Sequence, residues 1–375
     1  MTPVELSRTV LHAVRRAVDE GRLSVVVPAR AVVTPPGPGG WGDYATNIAL
    51  QLARPAGQPP LRVAEVLRPY LAGADGVREV QVTGPGFLNI ALDADASADL
   101  VRRVLRDGHR YGHGDLLAGQ VLHLHAPHEV RALVVLDASA RILRSQGATV
   151  RTSCDARPDP EWESVLGVSA MSAMSGVSVE DGASSVGVDA RPDASPSHHA
   201  RLAHPTHSPI PIRPTPSPAD PTPLARDAGR WALLHPAPHD RPRVTADHLV
   251  QRESNPLFRV RYAHARTRAL VRNAADLGFA AEPGSIDGAH NAVLTALADH
   301  PRVLGAAATR HAPDRLARHL VDVADAVLPL LHTVLPRGAE KPSAAHRARL
   351  ALAEAAGTVL AGGLSLLGID APEHL

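Results

Sequence analysis

The chain has 375 residues, 44% of them hydrophobic but only 3% aromatic, and a formal net charge of +1. That length allows two or three domains and a sizeable core, while the near-zero charge excludes a global field that would draw in nucleic acid and makes any basic surface local. A single cysteine, Cys154, excludes an internal disulfide framework and any multi-cysteine metal site, and Lys341 is the one lysine among the basic residues.

The N-terminal run MTPVELSRTVLHAVRRAVDEG is charged throughout and lacks the apolar core of a signal peptide. No run approaches the roughly 20 apolar residues of a membrane span, so the expectation is a soluble, cytoplasmic protein without membrane contact. Residues 1–115 read as a mixed α/β (α+β) domain. Val4 to Glu20 forms an amphipathic helix, and Asp43 can cap a second helix with Tyr44, Ile48 and Leu52 on one side. Leu61 to Leu71 gives a third. VREVQVTGPGFLNIAL then alternates across a Gly-Pro-Gly turn as a hairpin-like strand pair. Asp99 to Asp107 starts another short helix.

Residues 116–154 read as a strand, loop, helix and strand, one βα unit with Gly147 as the helix stop. Residues 155–223 hold twelve prolines and a serine- and glycine-rich half with little periodicity, and are expected to be a disordered, partly polyproline-like linker. Such a flexible chain reaches roughly 40–50 Å. From 224 to 375 the pattern is helical: Pro256 to Leu277, Asp287 to His300, Pro313 to Leu335 and Ser343 to Leu367 are amphipathic, with breaks at Gly278, Pro301, Pro313 and Pro336. Four or five helices with short connections predict an all-α bundle. The fold class is therefore multidomain.

Three separated segments share one resemblance. GDYATNIALQLARPAGQPPLRVAEVL with VQVTGPGFLNIAL resembles the N-terminal additional domain of arginyl-tRNA synthetases. NPLFRVRYAHARTRALVRNAADLGF resembles the start of that family's C-terminal anticodon-binding (DALR-type) bundle, and ARDAGRWALL and ALAEAAGTVLAGGLSLLGIDAPEHL extend the match to both ends of the helical region. Together they cover about two thirds of the chain. In that family the first βα unit carries a His-x-Gly-His signature for ATP. The resemblance sets it on Ala126, Pro127, His128 and Glu129, and none of the four matches. Ala126 offers no donor, His128 fills space a glycine would leave, and Glu129 sets a negative charge toward phosphates. The family's Lys-Met-Ser-Lys loop is absent, and Lys341 lies too deep in the bundle region to replace it. The resemblance thus leads to a truncated, non-catalytic relative: not an enzyme, without cofactor, a vestigial βα unit in place of the catalytic body, and ATP binding and aminoacylation lost.

The expected partner is tRNA, arginine tRNA among the candidates, and not DNA. Arg259, Arg261, Arg266, Arg268 and Arg272 follow one another with no acidic residue from Asn255 to Ala275. At 100° per residue Arg261, Arg268 and Arg272 fall within about 40° of one another, and Arg259 and Arg266 form a second stripe. These are candidate phosphate contacts, with Tyr262 as a stacking platform for an unpaired base; the alternative is a solvated helix face with Tyr262 in the core. By resemblance, Phe87 and Asn89 of GPGFLNI are candidates on the D-loop side, one stacking and one hydrogen bonding, against a plain hairpin with Phe87 in the core. Asp43, Tyr44 and Asn47 are assigned no ligand. His123, His125, His128 and Glu129 could hold zinc, but with 21 histidines in the chain clusters arise from composition alone, and no metal is assigned. A regulatory or protein-interaction module that keeps the fold and has lost RNA is the alternative function, with a protein partner; residual aminoacyl chemistry is the third.

Overall fold

A computed structural model describes residues 1–37, 41–168, 172–173, 208–286 and 290–375. Helix α1 (Pro3–Asp19) starts from a capping box in which Thr2 and Glu5 exchange side-chain and backbone bonds, with Pro3 at the first helical position. Strands β1 (Val33–Thr34), β2 (Tyr44–Thr46), β3 (Val77–Thr83) and β4 (Phe87–Leu92) form an antiparallel sheet of order β1-β2-β4-β3. Helices α2 (Ile48–Ala56) and α3 (Pro60–Ala72) connect β2 to β3. Leu6, Val10, Val14, Ile48, Leu67, Leu88 and Ile90 fill the core of this part. The hairpin follows its alternation, Thr83 facing Phe87 across the turn. Tyr44 is a strand residue instead of a helical one. Asp43 does not cap α2 but accepts a bond from the Leu92 amide, tying the start of β2 to β4.

Helix α4 (Ala94–Asp107) leads into a second, larger core that is continuous from Leu100 to Ile369. Strands β5 (Val121–Ala126) and β6 (Thr149–Cys154) are parallel, joined by α5 (Val130–Ser145) as the sequence predicts. The sheet has two more strands. β7 (Ser172–Ala173) pairs with β6 and β8 (Ile210–Pro211) pairs with β5, both parallel, giving the order β7-β6-β5-β8. This is the order of the first four strands of a doubly wound nucleotide-binding sheet, with its switch point between β5 and β8.

The expected disordered linker does not hold at its ends. Asp159 caps a helix α6 (Pro160–Leu166), whose Leu166 is buried, and the Ile212 amide bonds to the His125 carbonyl while its side chain enters the core. Apolar residues spaced too far apart to show periodicity are enough to pin these segments once a sheet edge and a helix receive them. The middle of that expectation, residues 169–171 and 174–207, lies outside the described residues.

The C-terminal helices are α7 (Ala225–Leu234), α8 (Pro256–Asp276), α9 (Asn291–Thr309), α10 (Pro313–Val327) and α11 (Ala344–Leu367). α9 runs through Pro301, where a break is expected, because Leu297, Leu304, Ala307 and Ala308 bury the helix on both sides of it. Tertiary burial outweighs the lost hydrogen bond. α11 is long and apolar enough to cross a membrane by length and composition, which corrects the expectation that no run is; its apolar window is 78% buried, against α4, α5, α8, α9 and α10. The bundle and the parallel sheet are thus one packed body instead of units strung on a tether.

Two fully buried arginines lock it. Arg131, in the first turn of α5, spends all five N–H donors on carbonyls of Thr215, Leu233, Pro236, Ala237 and Asp240 at 2.7–3.1 Å. Arg230 bonds the carbonyls of Leu166 and Leu367 and the carboxylate of Asp137, the last at 2.6 Å.

Candidate nucleic-acid interface

α8 starts where Asn255 accepts from the amides of Leu257 and Phe258 while donating to the carbonyls of His248 and Val250, with Pro256 at the first helical position. Its inner face, Leu257, Val260, Ala263, Thr267, Leu270 and Ala274, is buried. The approach to α11 is so close that a side chain at Gly357 would overlap Thr267 Oγ1. This fixes which residues face outward. Tyr262 is 39% exposed and its ring stacks on Phe258 at 5.5 Å, so it is not a core residue.

The arginines are less free than their neighbours in sequence imply. Arg259 pairs with Asp325 of α10 at 3.0 Å, Arg261 with Asp227 of α7 at 3.5 Å, and Arg268 and Arg272 share Glu373 at 3.1 and 3.5 Å. Among the described residues, Arg266 is exposed and makes no ion pair. An acid-free helix is therefore not an acid-free surface: the counter-charges arrive from three distant elements. Local sequence carries no signal for them.

In the hairpin, Gly84 and Gly86 take positive φ, and a side chain at Gly86 would run into the Pro60 backbone at 2.9 Å. The turn is held against the start of α3 and pushes Phe87 outward, 40% exposed. Asn89 is 3% exposed and donates to Thr83 Oγ1 at 2.6 Å. It braces the hairpin and has no amide left facing solvent, so the two candidates separate.

At the carboxyl end of β5, Ala126 is buried and in register with Cys154, and the His128 ring packs on Trp162 at 5.2 Å. Pro127 leads into Glu129, the N-cap of α5. One carboxylate oxygen of Glu129 accepts from the Ala132 amide at 2.8 Å and the other from the Ser217 amide at 2.9 Å. The positive end of a helix at a switch point suits an anion; here the chain's own carboxylate takes that place and fastens the segment after β8 to it. His123 Nε2 and His125 Nδ1 both meet Ser153 Oγ, at 2.8 and 2.9 Å, and His125 Nε2 meets Asp155 at 2.9 Å. These histidine nitrogens are engaged by a hydroxyl and a carboxylate. Cys154 is buried, which raises its thiol pKa, and its Sγ lies 2.7 Å from the Ala156 carbonyl.

Two family descriptions match the chain: the arginyl tRNA synthetase N terminal domain over residues 5–92 and the DALR anticodon binding domain over residues 260–375. The first ends with β4, where the smaller core ends; the second takes in all but the first turn of α8. An arginine–tRNA ligase of Renibacterium salmoninarum is 39% identical over 196 residues, which are 48% of this chain and 36% of that protein. That stretch is well under two thirds of the relative's own length. The arginine–tRNA ligase of Paenarthrobacter aurescens is 26% identical over 551 aligned positions that take in 100% of both chains; that alignment is longer than this chain, so part of the relative has no counterpart here. Thermus thermophilus arginyl-tRNA synthetase superposes with a TM-score of 0.65 at 17% identity over 100% of both chains, a likeness of fold. The expectation that the chain is not an enzyme does not stand, since relatives matched along their whole length are named as ligases. With both terminal domains matched in order and whole-length relatives of one kind, the chain belongs to the arginyl-tRNA synthetase family.

Proposed function

We propose that this chain binds tRNA, with the outer face of α8 on the anticodon side and the β3–β4 turn on the D-loop side. The observation that carries the reading is the match of residues 260–375 to an anticodon-binding domain, on a helix that exposes Tyr262 and Arg266 together. An exposed ring beside an unpaired guanidinium suits a single-stranded loop, by base stacking and phosphate contact. Phe87 supplies a second ring, and two modest contacts on one rigid ligand reinforce each other. Arginine tRNA is the proposed preferred species.

The test is binding of unfractionated tRNA, and of arginine tRNA in competition with it, across a salt series. Affinity that falls steeply with salt and is weakened by Tyr262→Ala and Phe87→Ala supports the proposal; no binding at low salt, or binding indifferent to salt, refutes it. The ion pairs that engage four of the five α8 arginines favour a second reading, a protein-interaction surface on the same fold, and a salt-indifferent result would move the assignment there. Ligation of arginine to tRNA, the activity for which the whole-length relatives are named, is measured separately by ATP-dependent attachment of labelled arginine to tRNA. The binding proposal rests on binding data alone.

A further inference from the structure

We infer that Glu373 is an internal stand-in for an RNA phosphate, held on a two-arginine fork that RNA must take from it. The inference rests on the tRNA-binding reading above and adds its regulation. Arg268 and Arg272 stand one helical turn apart on α8. Arg268 presents Nε and Nη2 to one carboxylate oxygen of Glu373, at 3.2 and 3.1 Å, and Arg272 presents Nη1 to the other at 3.5 Å. Arg272 Nη2 also reaches the Glu373 carbonyl at 3.4 Å and His374 Nδ1 at 3.5 Å. Two guanidinium groups around one anionic group is the donor set that a phosphodiester takes.

The segment carrying Glu373 is laid across α8 by other bonds. His264 Nδ1 meets the Pro372 carbonyl at 3.0 Å, the Asp370 amide donates to Asp227 at 3.2 Å, and Arg226 lies 3.8 Å from the Asp370 carboxylate. Glu373 is thereby delivered to the fork instead of finding it by chance. Beside it opens a polar cleft of about 480 Å³ lined by His109, Arg141, Arg226, Arg268 and Glu354, room for a phosphate and its sugar.

Exposure decides which of the α8 ion pairs can yield. The Arg261–Asp227 pair is mostly buried, and separating it would strand charge away from water. The two arginines of the fork and Glu373 are each about 40–50% exposed. Water receives either partner, so exchanging a carboxylate for a phosphate costs little. With Glu373 seated the fork carries one net positive charge, and with Glu373 displaced it carries two.

The experiment compares the full chain with Glu373→Gln, using unfractionated tRNA over a salt series. Glu373→Gln binds about two- to fivefold tighter at low salt, the equivalent of one exposed ion pair. The gain shrinks as salt rises, because salt screens the exposed pair that only the parent chain must break. In an Arg268→Ala/Arg272→Ala background the same change gives no gain. Glu79→Gln, which removes a like charge on exposed β3, leaves affinity unchanged. Unaltered or weaker binding by Glu373→Gln while the parent chain binds overturns the inference and leaves the tRNA reading standing. An equal gain from Glu79→Gln overturns it as a general charge effect. No binding by either protein ends both.

Discussion

Replacing Arg131 by methionine tests whether a buried charge with no carboxylate partner organises the switch-point side of the parallel sheet. Methionine replaces the aliphatic stem but not the guanidinium, so the packing of the stem is largely kept and five hydrogen bonds are lost, to the carbonyls of Thr215, Leu233, Pro236, Ala237 and Asp240. Hydrogen bonds to a charged group are worth about 1.5–3 kcal/mol each when removed singly, but bonds sharing one donor group are not additive. Water can reach some of the freed carbonyls, which lowers the sum further. Losses of roughly 3–5 kcal/mol follow, as for breaking one side of a buried charge network. Since about 2–4 °C of melting temperature accompanies each kcal/mol in a body of this size, the drop is on the order of 10 °C. Arg131→Lys offers three donors in place of five and recovers part of it. The assay is urea unfolding with hydrogen exchange followed in peptides from residues 208–242. Because two cores are present, exchange assigns the loss to the correct one. A methionine variant with parental midpoint and parental protection in those peptides would refute the cage as a source of stability.

Stability should also depend on pH through His319, which is 5% exposed and stacked on His300 at 5.3 Å. Burial pushes its pKa down from 6.5 to about 4, so the unfolded chain binds the proton first. Its share of the stability is then full above about pH 6.5 and falls by roughly 3 kcal/mol as the pH drops toward 4; His319→Phe lessens the slope of urea midpoints measured from pH 7 to 4, the share of His235, which burial also lowers to about 4, remaining, and an unchanged slope refutes the assignment. Phe87→Ala and Tyr262→Ala each weaken tRNA binding by about 1–3 kcal/mol with folding intact, whereas Asn89→Ala lowers stability and leaves the affinity of the folded fraction alone; a selective binding defect in Asn89→Ala would contradict its bracing role. Gly363→Ala, whose added methyl would overlap Leu320 on α10, costs about 1–3 kcal/mol in thermal unfolding, and a neutral result would show that the α10–α11 approach is looser than described.

What sequence reveals here follows the range of the interaction. α1, α8, α10 and α11 declare themselves by helical periodicity and capping residues, and the β3–β4 hairpin by alternation around Gly-Pro-Gly. β5, α5 and β6 are legible for the same reason. β7 and β8 are two residues each and carry no period, so only the sheet they join defines them. Asp43 precedes a helix closely enough to suggest a cap, yet its partner is Leu92, far along the chain. The α8 arginines show the same limit: their spacing is written locally, while Asp227, Asp325 and Glu373 come from other elements. Phe87 and Asn89 look alike as candidates until the hairpin's register turns one outward and buries the other.

The central place of α11 bears on how the protein is made. The first core, from Leu6 to Ile90, is complete once the early part of the chain has emerged. α5, by contrast, has nearly its whole surface buried, partly by α11, whose residues are added more than 200 positions later. At about 5–20 residues per second, a ribosome leaves the face that α5 turns to α11 uncovered for some 10–45 s. During that interval an apolar helix and the open edges of a parallel sheet are the surfaces a chaperone or a neighbouring nascent chain would meet. The larger body closes only when α11, translated long after α5, slides in among helices made before it.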